Sequence, residues 1–94
     1  MAMREQINDT ITAGGTAQEA LTAEPYRKYL LVQNNSDEAL WINFQDEADE
    51  DVGIKIAAGG SGEWEYETMP QIVNAMSIFG ATTGSKFGIT TDSK

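Results

Sequence analysis

Apolar and polar residues alternate along this chain in short bursts separated by turn-forming residues. The clearest stretch is residues 26–44, YRKYLLVQNNSDEALWINF, where apolar runs at 29–32 and 40–44 flank Asn34-Asn35-Ser36-Asp37-Glu38. Those five residues favour turns through side-chain hydrogen bonds to the backbone and tolerance of the left-handed region. The stretch therefore predicts a β-hairpin with a loop of about five residues. Leu40, Ile42 and Phe44 share one face of the second strand, and Trp41 and Asn43 share the other. The first run is apolar on both faces, which predicts a central strand with Leu31 among its buried residues.

Further strands follow the same logic. Residues 54–56 alternate and end at Gly59-Gly60-Ser61-Gly62; residues 63–68 then alternate acid with aromatic. This predicts one face of Glu63, Glu65 and Glu67 and a core face of Trp64 and Tyr66, joined to 54–56 by a hairpin or by a bend between sheets. Residues 72–79 are rich in β-branched side chains and stop at Gly80, so they are read as a strand. In 86–90, Phe87 and Ile89 share a face. Near the start, Ile7 and Ile11 stand four apart, on one face of either a strand or a helix, with Asp9 between them if it is a strand. Thr16 and Glu19 fit a helix capping box. Gly14-Gly15 and Pro25 leave room for only about two helical turns, however, so 16–23 is read as a strand. Turn signals at intervals of about eight to twelve residues, with six to eight short strands between them, predict an all-β antiparallel sandwich or barrel.

At 94 residues there is material for one core of ordinary domain size. Residues 16–94 are read as that single domain and residues 1–15 as an N-terminal arm or first edge strand. The absence of cysteine and histidine removes disulfides, thiol nucleophiles, and the commonest general base and metal ligand. A net charge of −9 repels phosphate backbones, which argues against nucleic acid and anionic membranes as partners. There is no apolar run of membrane-spanning length, and residues 1–10 lack the apolar core of a signal peptide. Synthesis in the cytoplasm is the simplest expectation.

Four features invite a functional reading. Five acids fall between Asp46 and Asp51. Asp46, Asp49 and Asp51 are the candidate Ca²⁺ ligands, but EF-hand spacing fails, because Ala48 and Gly53 fall where oxygen donors are needed. A solvated, mobile acidic loop is the plainer expectation. Glu63, Glu65 and Glu67 stand two apart, about 7 Å along a strand, within the carboxylate spacing of glycosidases. Nothing else distinguishes them from a solvated face, so no catalytic residue is assigned. The Gly59–Gly62 turn lacks the Lys-Ser/Thr pair of a phosphate loop. Trp41 points away from Leu40 and Ile42, either as an exposed interface anchor or buried in a second layer or under a loop. No cofactor is expected.

Residues 26–36, 40–44, 53–61 and 78–84 together resemble a recurring type of small tailed-bacteriophage virion protein. In that type a Thr/Ala-rich segment leads into an R-x-Y/F-L-L-V/I-Q-N-x-S strand, followed by W/Y-I/V-N-F, G-I-x-I/L-x-x-G-G and I-x-G-x-T-x-G. The resemblance implies a jelly-roll-like β-sandwich used as a building block of the particle. It implies a head decoration (cement) protein, commonly trimeric, that contacts the major capsid protein or other virion proteins, or else a tail or fibre module that meets a host glycan. The arm would then add a strand to a partner sheet, with Ile7, Ile11 and Trp41 as interface residues.

Overall fold

The computed structural model describes residues 3–93. Among these residues eight strands form in order: β1 (Met3–Thr10), β2 (Gln18–Leu21), β3 (Arg27–Asn34), β4 (Leu40–Phe44), β5 (Ile54–Ile56), β6 (Ser61–Glu65), β7 (Met76–Gly80) and β8 (Lys86–Ser93), with a 3₁₀ turn at Pro70–Val73. They make two four-stranded antiparallel sheets, β1-β8-β3-β6 and β2-β7-β4-β5. Strands 1 and 8, 2 and 7, 3 and 6, and 4 and 5 are neighbours, as if one long hairpin had been wound up. The result is an all-β, jelly-roll-like sandwich.

The core lies between the sheets. Leu30, Val32, Phe87 and Ile89 project from the first sheet, and Leu40, Ile42, Ile56, Met76 and Ile78 from the second; all are at most 3% exposed. The bulge between Arg27 and Tyr29 sets the phase of β3. It turns Leu30 and Val32 inward and leaves Leu31 half-buried on the outer face, contrary to the expectation that Leu31 is core. Tyr66, also expected inside, lies past the end of β6 and is 47% exposed, whereas Trp64 packs against the core with its ring edge-on to Phe44.

The central stretch is not a hairpin. β3 and β4 lie in different sheets, and residues 35–39 form a corner between them. Asn34 organises that corner from a buried position: its Nδ2 donates to the carbonyls of Glu38 (2.7 Å) and Ile56 (3.0 Å), and its Oδ1 accepts from the N–H and hydroxyl of Ser36. The bond to Ile56 reaches into the opposite sheet, so Asn34 fastens the two layers together. The link between β5 and β6 is likewise a bend between sheets. Residues 70–73 form the 3₁₀ turn rather than strand, since Pro70 has no N–H for a ladder and its fixed φ suits a helical first turn. The strand expected over 72–79 starts at Met76.

β1 pairs with β8 along its full length and forms one edge of the first sheet. Ile7 is half-buried against the core. Ile11, just past the strand, is 1% exposed. It packs over Gly80, where a Cβ would stand 2.8 Å from its Cγ1.

Candidate functional site

The outer face of the first sheet carries a polar row across all four strands. Register aligns Arg4 with Asp92, Asp92 with Tyr29, and Tyr29 with Glu65. Arg4 grips Asp92 with two bonds of 2.8 Å, from Nε to Oδ1 and from Nη2 to Oδ2. These bonds hold the Asp92 carboxyl below its ordinary range and push the Arg4 guanidinium up. The Tyr29 hydroxyl donates to Glu63 Oε2, and that carboxylate acceptor raises the pKa of the phenol. At one end the row opens into a shallow groove of about 560 Å³ between the start of β3 and the end of β6, lined by Tyr26, Lys28, Tyr29, Tyr66, Glu67 and Asp92. Tyr26 (65% exposed) and Tyr66 (47%) are, with Val52, the exposed large hydrophobic residues of the described chain.

The groove was not foreseen. Tyr26 follows Pro25, outside any alternating run, and Tyr66 follows the last residue of β6, where the alternation that assigns it to the core face has already stopped. Arg27, beside the groove, turns inward and is 5% exposed. It donates from Nη1 to the carbonyls of Ile72 (2.7 Å) and Asn74 (3.4 Å) and from Nη2 to that of Thr22 (2.9 Å).

On the opposite outer face Trp41 is covered, 8% exposed. Phe79 meets it edge-on at 6.2 Å between ring centroids, and Lys55 Nζ lies 5.9 Å from the ring centroid. The loop 45–53 folds over the pair and seats Ala48, 2% exposed, against them. The Ala48 N–H donates to Ser77 Oγ at 2.9 Å, and Asp49 and Val52 close a small β-bridge. The acidic loop is therefore a docked cover held by an apolar plug. Trp41 is occupied in holding it and has little surface left for a partner, and buried Ile11 has still less.

Asp46, Asp49 and Asp51 are all exposed. Among the described residues, no group of three or more acidic, His or Cys side chains converges as a metal site would require. Excess Ca²⁺ and excess chelator are accordingly expected to leave the melting temperature unchanged. A native-state site filled at 100 times its Kd would add about 2.7 kcal/mol and raise it visibly. Glu63 and Glu65 lie exposed on the open sheet face, not across a cleft.

No protein-family model matches the sequence, and no curated protein does. The fold does match solved structures. One, from work describing Bacillus endospore appendages as a novel family of disulfide-linked pili, has a TM-score of 0.54 and 15% identity, and covers 99% of this chain and 88% of its own. Another is the stem and receptor-binding domain of the spike protein P1 from bacteriophage PM2, with a TM-score of 0.58 and 14% identity, covering 84% of this chain. This chain corresponds to only 29% of that spike chain. At such identity the likeness is one of fold.

Proposed function

We propose that this chain is a structural protein of a bacteriophage virion, a capsid decoration protein. In this reading it binds the outside of the head, stabilises neighbouring major capsid subunits through protein–protein contacts, and works as a homo-oligomer, a trimer. The observation that carries the reading is how the polar groups are used. On an open sheet face Arg4 is tied to Asp92 and Tyr29 to Glu63, Arg27 is tied to backbone carbonyls, and five further carboxylates sit in the surface loop 46–51. That inventory suits a rigid, soluble building block better than an enzyme. Two structural neighbours, a pilus protein and part of a phage spike, support it as uses to which this fold is put.

A second reading, a tail or fibre module that contacts a host glycan, is favoured by the tyrosine groove, since exposed tyrosines offer apolar faces with a polar tip. Heads assembled without this protein distinguish the two. Under the decoration reading they lose their contents at lower temperature than complete heads, and adding the purified protein restores the difference. Heads of equal heat resistance, together with lost adsorption to the host, would transfer the protein to the tail.

A further inference from the structure

We propose that the free edge of β6 is a docking edge for an extended basic segment of a partner protein. β6 is the last strand of its sheet. Its ladder with β3 is fixed at both ends: the Asn34 N–H donates to the Gly60 carbonyl at 2.8 Å, and the Tyr66 N–H donates to the Lys28 carbonyl at 3.0 Å. Antiparallel pairing alternates, so residues 60, 62, 64 and 66 turn their backbone groups towards β3, while Ser61, Glu63 and Glu65 turn theirs outward. The Glu65 carbonyl is taken by the N–H groups of Thr68 and Met69, at 3.1 and 2.8 Å. The N–H and C=O of Glu63 and the N–H of Glu65 face the open edge.

Exposed edges in natural proteins are blunted by charged side chains, above all lysine, and by proline, short length, a bulge or a covering segment. The β6 run, SGEWE, contains neither lysine nor proline, and its pairing with β3 is regular from Ser61 to Glu65. What it presents is glutamate. Glu63 and Glu65 stand exposed beside the edge, with Glu67 just beyond. Tyr66 and Tyr26 in the adjoining groove offer ring faces for cation–π contact and for the alkyl stems of long cationic side chains. Charge selects the occupant. A second copy of a chain with net charge −9 would meet this edge with mostly like charge, whereas a strand carrying Lys or Arg at every second position matches the two-residue repeat of the glutamates, about 7 Å. The main chain supplies the pairing and the alternate cations supply the choice of partner. This goes beyond the virion assignment, because it needs only the strand edge and its charges.

The test uses the intact protein and a capped peptide, Lys-Thr-Lys-Val-Lys-Thr-Lys, followed by amide NMR. The peptide is expected to shift and protect the Glu63 and Glu65 amides, to bind more weakly as salt rises, and to lose affinity about tenfold or more when its edge amides are N-methylated. Glu63→Pro removes an outward N–H at an edge position that tolerates proline, and is expected to abolish binding with the fold retained by circular dichroism. Should Glu63→Pro fail to fold, the paired Glu63→Lys and Glu65→Lys variant tests the same edge, and is expected to reverse the preference towards a peptide with Glu in place of Lys. Several results would overturn the proposal. These are equal binding of the Lys and Glu peptides, full binding of the N-methylated peptide, shifts confined to another face, or a Tyr26 and Tyr66 response to neutral oligosaccharide with none to the peptide.

Discussion

Replacing Arg27 with methionine is expected to lower the unfolding free energy by about 3 kcal/mol, a large share of the roughly 5–15 kcal/mol typical of a domain. Methionine keeps much of the apolar stem but leaves the carbonyls of Ile72, Asn74 and Thr22 without their donor. Those carbonyls belong to the 3₁₀ turn, the residue after it and the segment following β2, so a single guanidinium joins one end of the second sheet to the start of β3. Among the described residues no carboxylate bonds to it. Burial accordingly pushes its pKa down, although a guanidinium stays charged throughout the ordinary pH range. Two effects oppose the loss: the cation no longer has to be desolvated, and the buried Nε, which has no partner among the described residues, disappears. Hydrogen bonds to a charged donor contribute about 1.5–3 kcal/mol each, and with three of them the bonds win. Urea unfolding measures the change, with the slope unaltered if only the native state is affected. Arg27→Lys should recover only part of it, because an ammonium cannot span the same carbonyls as a planar fork. A loss below about 1 kcal/mol for Arg27→Met would mean that desolvation cancels the bonds.

Trp41→Ala is expected to cost about 3–5 kcal/mol, with a second effect at a distance from the ring. Trp41 and Phe79 are the seat of Ala48, so removing the indole takes away the apolar anchor of the loop 45–53. Proteolysis and hydrogen exchange should then be fastest between Gln45 and Gly53, while the β3 and β8 amides change less. The five acids of the loop repel one another and favour release once the plug is lost. A Trp41 that served as an interface anchor would behave the opposite way, with isolated-protein stability almost unchanged and assembly lost.

These two residues show where the sequence was legible and where it was not. Period-two alternation placed Trp41 on the face opposite Leu40 and Ile42, and that face is correct. Whether the face is open depends on a loop that returns to cover it, and the reasons for its return are one alanine and one hydroxyl, Ala48 and Ser77, too ordinary to mark a sequence. Nothing in the local pattern marks Arg27 for burial; its inward turn goes with the bulge after it. The same bulge sets the phase of a continuous apolar run, which has none of its own, so the pattern does not tell Leu31 from the inward-facing Leu30 and Val32. The turn chemistry of residues 34–38 is sound, but a hairpin loop and a corner between sheets use the same residues. The choice is made by the reach of Asn34 to Ile56, a contact 22 positions away in the chain. Strand content, the sandwich and most of the core lie in local pattern. The groove and the open edge lie in strand order, which local pattern does not carry.

Cryo-electron microscopy of the parent particle is the sharpest test of the decoration role. Copies of this eight-stranded sandwich should repeat over the outer surface of the head, in contact with the major capsid protein. Density for it confined to the tail, or its absence from the particle, would refute that role.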